Sequence, residues 1–392
     1  MYPRIRVEGS ARERGRQYGE AARERVRRSV DAYDEVFAHY AGWKRARVRA
    51  AAAGFRAPIA AHGAKYLDEL RGIAEGAHVD ELDILAINVR TEIMFAASVR
   101  DVAAGRDRRH RLPPECSAFA VLGARAGCNV LVGQNWDWLA HAFETTIVLE
   151  VRQDDAPDYV TVVEAGLLAK TGMNSAGVAL VTNALVCAAD QGAPGVPYHV
   201  LLRSILDAET VSEALSTLQR DERAASANYL LAHADGVALD VEAAPGDFSR
   251  LFVGYPDHNL ILHTNHFCNP GFDLRDVSMV VMPDSPFRLA RLKQLVADHT
   301  GPLDRGFWER TLGDHAMSPF GVCCHPDPRT TSAPDRYATV MALIMDPAAR
   351  RIWLASGNPC ESAFELLDYA DFLAGRRHAL TAPAAQGEAA AD

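Results

Sequence analysis

The spacing of apolar and polar positions changes character once along the chain, at Cys116. Before it, apolar residues recur with a helical period. Ser10-Ala11-Arg12-Glu13 has the form of a capping box, in which the serine and glutamate side chains each satisfy a free backbone N–H. The pattern predicts a helix from there to about Ala38, with Val26, Val30, Tyr33 and Phe37 on one face and an arginine-rich solvated remainder. Asp80 or Asp83 is placed to cap a further helix, ILAINVRTEIMFAA, which is apolar nearly all round and therefore expected to be buried.

From Cys116 onward the chain breaks into short β-rich runs punctuated by Gly, Asn and Asp: SAFAVLGA, NVLVGQNW, TTIVLEVR, YVTVVEA, GVALVTNAL, NYLLAHA, GVALDVEA and LILHTNHF. Their close spacing suits antiparallel hairpins. Helices are expected at VPYHVLLRSILDA, at TVSEALSTLQRD (capped by Thr210 with Glu213), and at SPFRLARLKQLVADH, with Ser285 as N-cap and Pro286 in the first turn. Strands ATVMALIMD and RRIWLASG then precede a predicted helix over SAFELLDYADFLAG. The small, polar stretch 376–392 is expected to be disordered. Helices, many antiparallel strands, helices, strands and a helix imply an α+β fold with antiparallel sheet covered by helices. No Gly/Ser linker divides the chain. The expected organisation is one unit with a helical N-terminal segment, 1–115, and a β-rich part, 116–375.

Composition narrows the function classes. The chain of 392 residues is 48% hydrophobic and 23% charged, enough for a sizeable core, and its net charge of −10 disfavours nucleic acid as a partner. No apolar run is long enough to span a membrane. The opening MYPRIRVEGSARERGRQYGE has no apolar segment of the secretory type, so a cytoplasmic location is expected. Seven cysteines, an odd number in a long chain, read as reduced thiols. Cys323-Cys324-His325 invites a metal, but no C-x-x-C partner accompanies it, which favours loop thiols. His263 and His266, at i and i+3 on an expected strand, face opposite sides and do not suggest zinc.

The candidate chemistry gathers at strand ends. Pro113 and Pro114 stiffen the peptide that leads through Glu115 into Cys116. Asn135 and Asp137 alternate with Trp136 and Trp138, Asn183 closes one strand, Asn265 lies in HTNH, and Asp335-Arg336 opens another strand. A cysteine, an aspartate, asparagines and an arginine at the ends of strands in one antiparallel system are a set that can converge on one site.

The run CSAF, GQNWDW, KTGMNSAGVALVTNAL, GVPYHVLLRSIL, HTNH and ATVMALIMDPAARRIW, with GSARERGRQYGEAA and LDILAINVRTE upstream, resembles the acyl-coenzyme A:6-aminopenicillanic acid acyltransferase family of N-terminal nucleophile (Ntn) hydrolases. The resemblance implies an αββα sandwich of two stacked antiparallel sheets and a proenzyme that cleaves itself between Glu115 and Cys116 into an αβ heterodimer. It implies Cys116 as nucleophile, Asp137 as holder of the new α-amino group, Asn265 and Asn183 as oxyanion donors, and Arg336 as the site cation. Glu115 stands where a small residue such as glycine is familiar in the family, and Asp335 where a small hydroxyl residue is.

The residue types suit that chemistry. A cysteine thiol of pKa about 8.5 is mostly protonated at neutral pH, whereas an α-amino group of pKa about 7.7–8.0 is roughly 10–20% neutral at pH 7 and can take the thiol proton on its own residue. Acyl transfer through an acyl-Cys116 intermediate requires no metal or redox cofactor. The implied partners are a small amide or acyl donor, with acyl-CoA as a candidate donor substrate, and an amine acceptor. A second class fits the same residues, a self-cleaving protein of this fold that serves as a binding module without turnover.

Overall fold

The computed structural model describes residues 1–105 and 116–374. The Glu115 side of the expected cleavage junction and the expected disordered tail lie outside the described residues.

Six helices occupy the N-terminal part: α1 (Ala11–Ala21), α2 (Arg23–Ala41), α3 (Arg45–Ala53), α4 (Arg56–Ala77), α5 (Glu81–Asn88) and α6 (Arg90–Ala103), preceded by strand β1 (Arg4–Val7). The Ser10–Glu13 capping box is formed, and Asp80 caps α5 by accepting from the Leu82 N–H. Two expected helices are each split. The first breaks at Ala22, because α1 runs along α4 while α2 lies against α6. The second breaks at Val89, because α5 packs on α3 and α4 whereas α6 packs on α2. Tertiary partners, invisible to periodicity, set both breaks.

The α1–α4 contact depends on four glycines. A Cβ at Gly15, Gly19, Gly72 or Gly76 would lie 2.2, 2.3, 2.2 or 2.1 Å from a carbonyl oxygen of the facing helix. Two i, i+4 glycine pairs thus allow backbone-to-backbone approach that no side chain permits.

The remaining elements are β2 (Cys116–Leu122), β3 (Val130–Leu139), α7 (Ala142–Thr145), β4 (Thr146–Val151), β5 (Tyr159–Glu164), β6 (Thr171–Asn174), β7 (Val178–Ala184), α8 (Tyr198–Ile205), α9 (Val211–Arg220), β8 (Ala227–His233), β9 (Val237–Ala243), β10 (Leu251–Gly254), β11 (Leu260–His263), α10 (Ser278–Val281), α11 (Ser285–Ala297), α12 (Arg305–Leu312), β12 (Tyr337–Asp346), β13 (Arg351–Ser356) and β14 (Glu365–Asp368). One sheet has the order β1-β4-β5-β6-β7-β8-β9-β10 and the other β11-β2-β3-β12-β13-β14. Every pairing is antiparallel except β1 with β4.

The sheets stack through β2 and β3 against β7 and β8. Alternation along the strands separates two cores. Cys116, Ala118, Ala120, Val130, Val132 and Trp136 point between the sheets into the main core, which also holds Val26, Tyr33 and Ile87 of the N-terminal helices. Phe119, Val121, Leu131 and Ile344 point outward, onto Phe307, Trp308 and Leu312 of α12. The layers follow the expected order of helices, sheet, sheet and helices. The predicted helix over SAFELLDYADFLAG is instead β14, paired with the edge of β13 so that Leu367 is buried. The open hydrogen-bonding edge of β13 outweighs a local pattern that reads equally well as a helix. No helix among the described residues is long and apolar enough to cross a membrane.

Replacing Gly76 or Gly19 by alanine is expected to push α1 and α4 apart and lower stability by about 1–3 kcal/mol, read as a lower urea midpoint at unchanged slope. Exposed Gly42, where an added Cβ meets nothing within 4 Å, is the control for the packing effect, although its φ of 66° carries a strain of its own.

Candidate active site

Cys116 is the first residue of β2 and is fully buried. β11 lies antiparallel beside β2 with His263 opposite Ala118, so Asn265, two residues past His263, comes alongside Cys116. The Cys116 main-chain N–H donates to Asn265 Oδ1 at 2.9 Å. Its carbonyl accepts from Arg288 Nη1 at 2.6 Å, and its Sγ accepts from Gln134 Nε2 at 3.5 Å. Main chain and thiol are therefore fixed from three directions.

Asn265 is itself held on every side. Its N–H donates to Ser285 Oγ at 2.6 Å, its Oδ1 also accepts from Arg288 Nη2 at 2.9 Å, and its amide nitrogen donates to Ala184 O at 3.0 Å. In the intact chain the oxygen of this amide faces Cys116, and Ala184 takes one of its two N–H groups. Ser285, expected as the N-cap of α11, is the first residue of that helix, and its hydroxyl is engaged by Thr264, Asn265 and His266 instead of the helix N-terminus.

Arg288 projects from α11 and is fully buried. Besides the Cys116 carbonyl and Asn265 it donates to Ser117 Oγ at 3.0 Å and, through Nε, to Asp284 Oδ2 at 2.8 Å. Arg336, the cation implied by the family resemblance, is exposed, with its Nε donating to the carbonyl of Thr330 at 3.2 Å. The guanidinium at Cys116 thus belongs to Arg288. Arg288 has no part assigned from sequence, since only the docking of α11 against β11 and the start of β2 turns it inward.

Asp137 lies on the face of β3 opposite to that of Trp136, directly across from Thr339 of β12. A β-bulge between Thr339 and Met341 re-aims this strand. The Thr339 hydroxyl donates to Asp137 Oδ1 at 2.5 Å, and the carbonyl of Val340 within the bulge accepts from the Tyr2 hydroxyl at 2.6 Å. Asp137 Oδ2 has no hydrogen-bond partner among the described residues. Burial pushes its carboxyl up to about 7, against the opposing pull of Arg288 and Thr339. A buried carboxylate with one open oxygen is equipped to receive a cation.

Asn183 faces Asn228 across β7 and β8, accepts from its amide at 3.3 Å, and donates to the carbonyl of His263 at 3.4 Å, next to the segment that carries Asn265. Gln134, the glutamine of GQNWDW, is a site residue with no part assigned from sequence. Its oxygen accepts from the Thr182 N–H at 2.8 Å, which aims its amide nitrogen at the Cys116 sulfur. Asn135, on the other face, donates to the carbonyls of Leu312 and Val322 and ties β3 to the α12 layer. His263 is clamped between Glu242 and its neighbour's carbonyl. The Asp240 and Glu242 carboxylates raise its pKa well above the usual histidine range, against the effect of burial.

The chain is similar to several known proteins. A curated relative, the 40 kDa form of acyl-coenzyme A:6-aminopenicillanic-acid-acyltransferase of Emericella nidulans, is 26% identical over 307 residues, covering 75% of this chain and 76% of its own. Among solved structures, a mutant conjugated bile acid hydrolase from Clostridium perfringens aligns with a TM-score of 0.45 at 13% identity, over 66% of this chain and 94% of its own. Penicillin V acylase from Agrobacterium tumefaciens aligns with a TM-score of 0.33 at 18% identity, over 62% and 83%. The family model for acyl-coenzyme A:6-aminopenicillanic acid acyl-transferase matches residues 124–361, from the turn after β2 to the turn after β13, and the chain belongs to that family.

Proposed function

We propose that the protein is a self-cleaving Ntn amidohydrolase or N-acyltransferase that works on small N-acylated compounds through an acyl-Cys116 intermediate. The observation that carries this reading is the three-point fixation of Cys116 by Asn265, Arg288 and Gln134 at the opening of a strand.

In the cleavage step, the Cys116 thiol attacks the carbonyl of Glu115, the peptide shifts from nitrogen to sulfur, and water releases the thioester. The liberated α-amine then acts as the general base for the thiol on its own residue. Asp137, with an open oxygen in a dry site, balances the α-ammonium and orients it. Arg288 favours the thiolate and lowers the pKa of the amine through its charge. Gln134 donates to the sulfur. In turnover, the thiolate adds to an amide or thioester carbonyl, with an acyl-CoA among the donors. The oxyanion is stabilised by Asn265 and Asn183, each such donor being worth about 3 kcal/mol. The α-ammonium protonates the leaving group, and water or an amine resolves the acyl-cysteine. The two fragments remain a heterodimer because β1 hydrogen-bonds β4 and the N-terminal helices share the main core.

Intact mass and N-terminal sequencing test the first step. Mature protein is expected as fragments of 115 and 277 residues, the larger beginning Cys-Ser-Ala-Phe, and Cys116→Ala as one 42.6 kDa chain. An active wild type that stays whole would refute the proposed base. A thiol-directed acylating probe should then give a burst of acyl-Cys116. Its absence from cleaved protein would leave the binding-module reading.

Arg288→Ala is expected to lower kcat/KM by about 100-fold or more, whereas Arg336→Ala should stay within about threefold of wild type. The reverse order would return the cation role to Arg336.

A carboxyl whose folded pKa is raised holds its proton longer than in the unfolded chain. Its favourable contribution is present below the unfolded pKa and is lost as pH rises toward 7. In the uncleavable Cys116→Ala background, the stability of Asp137→Asn relative to Asp137 should therefore rise by about 3 kcal/mol from pH 5 to pH 8, measured by denaturant melts at each pH. A difference that does not change with pH would refute this assignment.

A further inference from the structure

Cys323 and His325 lie in the loop between α12 and β12. His315 stands at the start of the same loop, just past the end of α12, and the fold brings Cys360 to them from the turn after β13. The four candidate donor atoms all lie within 4.8 Å of one another. Cys323 Sγ is 3.6 Å from Cys360 Sγ and 3.6 Å from His325 Nε2. His325 Nε2 is 3.3 Å from Cys360 Sγ and 3.0 Å from His315 Nε2.

These separations can be compared with a metal centre. Zinc bonds of about 2.3 Å to sulfur and about 2.0–2.1 Å to nitrogen, directed tetrahedrally, place two sulfurs about 3.8 Å apart, sulfur and nitrogen about 3.6 Å, and two nitrogens about 3.3 Å. The observed edges follow that pattern to within a few tenths of an ångström. A disulfide would need the two sulfurs at about 2.05 Å. Two thiols and two imidazole nitrogens are also the donor set that selects a borderline-soft divalent ion over calcium or magnesium.

We infer that His315, Cys323, His325 and Cys360 form a structural binding site for one zinc ion. Both thiols lose their protons on binding, so two thiolates balance the 2+ charge and the centre is neutral. No oxidation or reduction takes place. Asn358 Nδ2 lies 3.7 Å from Cys323 Sγ and donates to Cys324 O at 2.7 Å, as an outer-shell partner of a thiolate would.

The site joins two loops next to the catalytic layer. Cys324, adjacent to Cys323 in the chain, donates its N–H to Thr339 Oγ1 at 2.8 Å and accepts from the Thr339 N–H at 2.9 Å. Thr339 is the residue that holds Asp137. The ion would therefore fix the loop on which the position of that carboxylate depends. The inference stands independently of the cleavage chemistry.

Full-length protein purified without chelator tests it. One zinc per chain is expected by elemental analysis, and Co2+ added after chelation should give the ligand-field and thiolate charge-transfer bands of a tetrahedral site. Zinc should raise the Tm of stripped protein by roughly 5 °C or more. Cys360→Ser and His315→Asn alter exposed positions and should fold, yet lose the cobalt bands and the zinc-dependent shift. Failure of reduced wild type to hold zinc at micromolar free metal would overturn the inference. So would retention of wild-type binding by both variants, or a Cys323–Cys360 disulfide that leaves no zinc binding after reduction.

Discussion

A buried guanidinium must find acceptors for its donors or destabilise the fold by several kcal/mol. Arg288 meets that requirement by bonding to the carbonyl of Cys116, the hydroxyl of Ser117, the amide of Asn265 and the carboxylate of Asp284. One side chain thereby joins the outer helix layer to the first residues of β2 and to the loop that follows β11. The position of Cys116 depends on this connection. A shift of α11 would leave a charge in a dry interior, so the geometry at the strand opening is as rigid as the packing of the helix that supplies it.

The same economy of charge governs Asp137. It lies in a dry layer with Arg288 and Asp284 nearby, and the one positive charge of Arg288 faces two carboxylates. Its elevated pKa and open oxygen describe a site with room for one more positive charge. An α-ammonium on Cys116 would fill that role. The alternation of β3 gives the strand two functions, since Gln134 points to the thiol between the sheets while Asn135 and Asp137 face the helical layer.

Supports for this layer come from far along the chain. The bulge at Val340 aims Thr339 at Asp137 and is sealed by the hydroxyl of Tyr2 from the N-terminal segment. Cys324 holds Thr339 from the other side. The N-terminal helices contribute through the main core and through the close crossing of α1 and α4, which brings β1 to the sheet edge.

Local physics in the sequence determined much of this protein. The capping boxes, the change of apolar period at Cys116, the strand runs and the cluster of Cys, Asp and Asn at strand ends are all properties of neighbouring residues, and most of the central strands and helices follow from them. That Cys116 and Asn265 could share a site was also foreshadowed, because both lie at strand ends, although the pairing of β11 with β2 that joins them is long-range. What only the tertiary structure decided are the features that depend on a distant partner. The breaks at Ala22 and Val89 follow from which helix lies alongside. The ELLD segment is a strand because β13 offers it an edge. Arg288 rather than Arg336 reaches Cys116 because α11 docks on β2 and β11, and no spacing along the chain encodes that docking. Cys360 meets Cys323 for the same reason: Cys323 and His325 are neighbours in the chain, but the fourth donor comes from the loop after β13, and its proximity is created by the sheet that carries both loops.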